Sequence, residues 1–201
     1  MVTAAASGDG AANAVTFISG TTATKLLWPE NSIPSTFTVC SVTRYTGGGR
    51  RLILTCDGSA SQSADWLHGH CWGRRFVSYN GWKTSSTSHG VVDDWLVMCG
   101  TNAGPTAPGN IVEGQDEIGT ADGGDGSCRL NINYSGSTHQ SGWALHSLLI
   151  WDYSLGTVPA LWHTSATLSQ VLLTWFFSWC DLGRMRRTVF SGQGDWGRRC
   201  S

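Results

Sequence analysis

The sequence predicts an all-β domain followed by a C-terminal helix and an irregular tail, and three observations carry that expectation. Charged residues make up only 13% of the chain, about half the usual share for soluble proteins. Glycine occurs 26 times and tryptophan 11 times, which suits short strands, tight turns and aromatic surfaces better than a helical bundle. Apolar and β-branched runs alternate with Gly, Ser, Asp and Pro clusters as far as Leu155, where helical spacing takes over. With 201 residues the chain can bury one sizeable core but not two ordinary domains joined by a linker.

The first strand falls over Ala14 to Ser19. Between Ser35 and Cys56 the sequence STFTVCSVTRYTGGGRRLILTC places two β-branched runs around three glycines, a hairpin signal. Centring the turn on Gly48 sets Cys40 opposite Cys56, Val42 opposite Leu54 and Arg44 opposite Leu52. Cys40, Val42, Leu54 and Cys56 then form a core face, with Cys40 and Cys56 as candidate disulfide partners. Trp95 to Gly100 (WLVMCG) and Trp143 to Trp151 (WALHSLLIW) are apolar on both faces and read as central strands. Cys128 to Tyr134 alternates, with Leu130 and Ile132 inward and Arg129, Asn131 and Asn133 outward. That pattern exposes Asn133, the acceptor of an Asn-Tyr-Ser glycosylation sequon. The stretches Asp57 to Ala64, Thr101 to Asn110 and Thr120 to Ser127 read as loops. Seven cysteines leave at least one thiol free or paired with another chain.

Beyond the β region, Leu168, Val171, Leu172, Trp175 and Trp179 recur at helical spacing, predicting a helix over about residues 164–179. Pro159 to Cys180 contains no charged residue and approaches the ~20 residues needed to cross a bilayer, with Arg184, Arg186 and Arg187 beyond it. His163, Gln170 and six Ser or Thr residues in that stretch favour a packing helix over a membrane span. Trp175, Phe176, Phe177 and Trp179 are its docking candidates. The expected division is a domain over residues 14–155 and an appendage over 156–201, ending in a tail with five arginines.

Lysine and arginine total 13 against 14 acidic residues, so no basic field gathers phosphates and nucleic acid is not an expected partner. Met1 to Gly10 shows no charged-then-apolar run, so no secretory signal is visible there.

FTVCSVTRY at Phe37 to Tyr45, DWLHGHCWG from Asp65, YNGWKT at Tyr79 to Thr84, DWLVMCGTN at Asp94 to Asn102 and WALHSLLIWDYSL at Trp143 to Leu155 together resemble LamG-like jelly-roll domains of the concanavalin A-like superfamily. The resemblance covers roughly Ala14 to Leu155. It implies two stacked antiparallel sheets in a jelly-roll sandwich. It also implies recognition of glycans, proteins or lipids through loops at one rim, often with calcium, in an extracellular, cell-surface or organelle-lumen setting.

Trp66, His68, His70, Trp72, Tyr79 and Trp82 crowd one 17-residue stretch, where ring faces can stack on sugars and imidazoles can bond hydroxyls. The competing expectation is that these are core aromatics. His68, His70 and Cys71 have zinc-ligand chemistry but lack the spaced second pair of a structural site. Asp122 and Asp125, in TADGGDGSC, offer oxygens to calcium without the EF-hand ladder. Glu113 and Glu117, at i and i+4, resemble the catalytic strand of laminarinase-type glucanases if they share a strand face, although Gly114 and Gly119 interrupt it.

These readings converge on a binding module for a glycan or protein surface, not an enzyme. Two alternatives stand beside it: a structural subunit that docks through its C-terminal helix and tail into a larger complex, whether or not that complex is embedded in a membrane, and a laminarinase-like hydrolase.

Overall fold

The structure, a computed structural model, describes residues 2–4, 10–11, 14–57, 66–85, 93–103, 107, 109–114, 116–133 and 139–154. The described residues form twelve strands: β1 (Val2–Ala4), β2 (Thr16–Gly20), β3 (Leu26–Leu27), β4 (Thr38–Tyr45), β5 (Leu52–Asp57), β6 (Trp66–Cys71), β7 (Arg74–Tyr79), β8 (Leu96–Thr101), β9 (Ile111–Glu113), β10 (Asp116–Glu117), β11 (Arg129–Ile132) and β12 (Trp143–Trp151). Every paired ladder is antiparallel. Seven strands make one sheet in the order β1-β2-β12-β4-β8-β9-β10, and five make the other in the order β3-β11-β5-β6-β7. Val39, Leu96, Met98 and Trp143 from the first sheet share a buried cluster with Leu54, Trp66, Val77 and Leu130 from the second, so the two sheets form a sandwich.

The apolar runs expected to be central are central: β8 lies between β4 and β9, and β12 lies between β2 and β4. Strands of this kind are buried on both faces, which is why they read as continuous apolar runs rather than alternating ones. A bulge between Leu145 and Ser147 resets the phase of β12. Leu145 and Leu148 both reach the inter-sheet core, while Ala144 and Leu149 serve clusters on the opposite face.

The hairpin expected across Gly48 does not form. β4 and β5 belong to different sheets, and Cys40 faces Cys99 and Leu149 rather than Cys56. The physical reason lies in the three glycines. Gly47, Gly48 and Gly49 all take left-handed φ values, of 94°, 60° and 57°, and carry the chain from one sheet to the other instead of closing a tight turn. They pack on the segment before β12: Gly142 N–H donates to the Gly48 carbonyl at 2.7 Å, and a Cβ on Gly142 would sit 2.0 Å from the Gly47 carbonyl oxygen. The disulfides follow the true topology, Cys40 with Cys99 and Cys56 with Cys128, and Cys71 is a buried free thiol. All four residues of the expected core face are buried, but not together. Leu54 and Cys56 lie in the inter-sheet core, whereas Cys40 and Val42 sit in separate clusters and Val39 and Tyr45 point inward in their place.

Along β11 the alternation holds for Leu130 and Ile132, which are fully buried in the core. Asn133 breaks it. At a φ of 57° the chain leaves the strand, and the side chain turns inward to 3% exposure. The two hydrogens of its Nδ2 are shared among the carbonyls of Ser141 at 2.8 Å and of Thr21 and Thr24 at 3.1 Å, and its Oδ1 accepts the Ser141 N–H. The expected glycan acceptor is instead a buried polar tie between the β2–β3 connection and the segment before β12. Replacing Asn133 with Ala leaves the buried Ser141 N–H and carbonyl without this partner. The expected cost is about 3 kcal/mol, read as a lowered urea midpoint.

The expected helix, the arginine tail and Trp175, Phe176, Phe177 and Trp179 lie outside the described residues. Among the described residues there is no helix, and so none long and apolar enough to cross a membrane.

Candidate functional site

β6 and β7 pair directly from Trp66 opposite Tyr79 to Cys71 opposite Arg74, joined by the two-residue turn Trp72-Gly73. Alternation along this hairpin sorts the six expected ligand-binding residues into two groups. Trp66, His68, His70 and Tyr79 point between the sheets and are at most 4% exposed. Trp72 and Trp82 are 49% and 54% exposed. The aromatic cluster is therefore mostly core, with one exposed ring near each end of β7.

The inward group forms a polar network inside an apolar core. His68 Nε2 lies 3.3 Å from the Met98 carbonyl. A carbonyl can only accept, so Nε2 carries the proton and Nδ1 accepts from the Tyr79 hydroxyl at 2.8 Å. His70 Nδ1 pairs with Thr43 Oγ1 across the sandwich at 3.0 Å, and its ring meets Tyr45 edge-on at 4.5 Å. Burial pushes His68 down to about 4 and His70 down to about 3, since a charged imidazole there would lose its hydration. Both are neutral structural histidines. Cys71 faces the other way, into a cluster with Leu52, Leu67 and Phe76, so the three candidate zinc ligands do not converge. Burial also raises its thiol to about 12.

The Trp72 turn is built from several elements. Trp72 N–H donates to the Arg51 carbonyl at 3.1 Å, and Gly73 N–H donates to the Tyr45 hydroxyl at 3.3 Å. That hydroxyl in turn donates to the Arg51 carbonyl at 2.5 Å. The Arg51 guanidinium lies 3.7 Å from the centre of the Trp72 ring, a cation–π stack. His139 meets the ring edge-on at 5.8 Å. Arg50, ion-paired with Asp93, and the exposed Arg74 flank the turn. Nothing in the sequence marks the arginines or His139 as neighbours of Trp72. Arg51 and Trp72 lie 21 positions apart and meet only through the β5–β6 register, which a bulge between Leu52 and Leu54 shifts.

Trp82 sits beyond Asn80-Gly81, where the chain folds back on β7 with Ser78 facing Trp82. Its ring meets Phe76 at 5.5 Å. Lys83, 7% exposed, donates from Nζ to the Asp122 carbonyl at 2.9 Å. Asn80 Nδ2 donates to the Asp125 carboxylate. The loop expected to offer oxygens to calcium is thus already engaged by an ammonium and an amide. Among the described residues no group of three or more His, Cys, Asp or Glu is placed to hold a metal.

Glu113 and Glu117 do not share a strand. The chain turns at Gly114, whose φ is 56°, so Asp116 faces Glu113 and Glu117 faces Val112. Glu113 pairs with Arg75 of the opposite sheet, while Glu117 is exposed. Burial raises the Glu113 carboxyl, and the Arg75 guanidinium opposes that rise. The i, i+4 carboxylate pair on one strand face is therefore not formed. No protein-family model matches this chain, and no curated protein or solved structure matches it.

Proposed function

We propose that this domain is a LamG-like jelly-roll binding module that recognises a glycan or a protein surface through the rim carrying Trp72. One observation carries the reading. Both residues of the Trp72-Gly73 turn have positive φ, 53° and 73°, a conformation that two-residue hairpins ordinarily fill with Asn-Gly. The same molecule uses that pair at the other end of β7, where Asn80 and Gly81 have φ values of 53° and 128°. Tryptophan at such a position costs about 1 kcal/mol, and its half-exposed ring adds little to the core. Strain retained at an exposed aromatic fits recognition. A sugar's apolar face can stack on the free part of the ring while the Arg51, Arg74 and His139 side chains bond its polar groups. Two disulfides suit maturation in an oxidising compartment.

Trp72→Gly tests this directly. Glycine relieves the left-handed strain, so the expected stability is unchanged to within about 1 kcal/mol. Retention on a glycan array is expected to fall at least tenfold. A wild type that retains no glycan removes the sugar reading and leaves the protein surface. A Trp72→Gly protein that mainly unfolds returns the residue to a fold role.

A further inference from the structure

The larger sheet carries a second apolar surface on the side turned away from the smaller one. Val39, Met98, Ile111 and Leu148 point into the inter-sheet core, so their neighbours Cys40, Cys99, Val112 and Leu149 face the other way. These four stand in register as one row across β12, β4, β8 and β9, about 14 Å wide. Trp151 and Tyr153 pack against the same row, and Val42, Val97 and Phe17 continue the surface along the strands. Of the charged side chains in these four strands, Glu113 pairs inward with Arg75, and Arg44 lies over the Phe17 and Trp95 rings. A face of this composition does not alternate with polar residues as a solvated one does, and it needs a further layer against it.

Where the chain goes next identifies that layer. Thr38 Oγ1 donates to the Tyr153 carbonyl at 2.9 Å, and Thr101 Oγ1 lies 3.3 Å from Ser154 Oγ, so the chain is held at the Trp151 end of this face as it leaves the described residues. Residues 159–180, 22 positions without a charged side chain, begin five residues later, within about 17 Å of extended chain. Trp151 Nε1 is buried and meets no acceptor among the described residues, and the six Ser or Thr residues of that stretch carry acceptor oxygens. We infer that residues 159–180 dock on the outer face of the larger sheet as a third layer of the domain, with the stripe of Leu168, Val171, Leu172 and Trp175 against it. A helix over residues 164–179 would be about 24 Å long, enough to cross the row. Tethering holds the segment at roughly millimolar effective concentration, an advantage that neither a bilayer nor a second copy shares. The docking is independent of recognition at Trp72, which sits on a turn of the smaller sheet.

Site-specific photocross-linking in the full chain tests it, with p-benzoyl-phenylalanine in place of Val97, which lies on the outer face, or of Glu117, exposed at its edge opposite Val112. Irradiation is expected to join either probe to residues 159–180, mapped by proteolysis and mass spectrometry, while the product keeps the 21.6 kDa monomer mass on a denaturing gel. A probe in place of Trp82, exposed beside Phe76 of the smaller sheet, is expected to give at least tenfold less of this product. Leu168→Asp with Leu172→Asp is expected to lower the yield from both outer-face probes at least tenfold. If the Val97 variant unfolds by circular dichroism, the Glu117 probe carries the measurement. A product of twice the monomer mass overturns the inference in favour of a second copy. No cross-link to residues 159–180 overturns it by freeing that stretch for another protein or a bilayer. Equal yield from the Trp82 probe, or yield unchanged by the two aspartates, overturns it too, since the contact would then owe nothing to the apolar face.

Discussion

Between pH 7 and pH 5 the fold is expected to lose stability at up to about 2.7 kcal/mol per pH unit, two protons' worth. The cause is the buried pair His68 and His70, held down to about 4 and about 3 against an ordinary value of 6.5. In that window the unfolded chain binds a proton on each imidazole and the native protein binds neither. Stability is therefore fully present above about 6.5 and falls as pH drops, the His68 contribution levelling off near 4 and that of His70 near 3. Domains of this size are stable by ~5–15 kcal/mol, so two units of acidification remove a large share. Urea unfolding at a series of pH values measures the slope. His68→Gln is expected to halve it even if the substitution lowers stability at every pH, because the slope counts protons. A flat profile from pH 7 to pH 5 would mean that the imidazoles are hydrated.

The second large effect is expected at the disulfides. Cys40–Cys99 closes a separation of 59 residues and Cys56–Cys128 one of 72. Loop-closure entropy of the unfolded chain makes each worth about 4 kcal/mol. The paired replacement Cys56→Ala with Cys128→Ala should lower stability by that amount, while Cys71→Ala, which breaks no bridge, should cost only a cavity of about 1 kcal/mol. Thermal melting of the two variants side by side separates these cases. Equal losses would place the value of Cys56 and Cys128 in packing rather than in the cross-link.

Much of the framework was legible in the sequence, and the failures share one cause. Trp143 to Trp151 and Trp95 to Gly100 announced themselves because their apolar residues fall on both faces of the strand. The Gly47 to Gly49 segment misled, because a glycine run between strands signals permissive φ without saying whether the strands pair or part. Asn133 misled for a similar reason: alternation predicts faces only while the chain stays extended, and nothing local marks where it leaves the strand. At the candidate site the aromatic residues were legible, but which were exposed was not. Trp66 and Trp72 look alike in sequence and differ only in that one precedes the turn and the other forms it. The contrast between Trp72-Gly73 and Asn80-Gly81 was the readable clue, since turn chemistry can be judged from two residues.

The position of β12 has a consequence for how the protein is made. It is the last described strand in the chain, yet it sits between β2 and β4 and, among the described strands, alone joins β1-β2 to the rest of the larger sheet. During synthesis that sheet exists as two separate pieces until Trp151 has left the ribosome. Until then β4 presents an open edge along all eight residues, a template for wrong partners. Folding dominated by so distant a closure is slow, in the millisecond-to-second range of all-β sandwiches, and a chain stopped before Trp143 would leave the ribosome with no way to join its two halves.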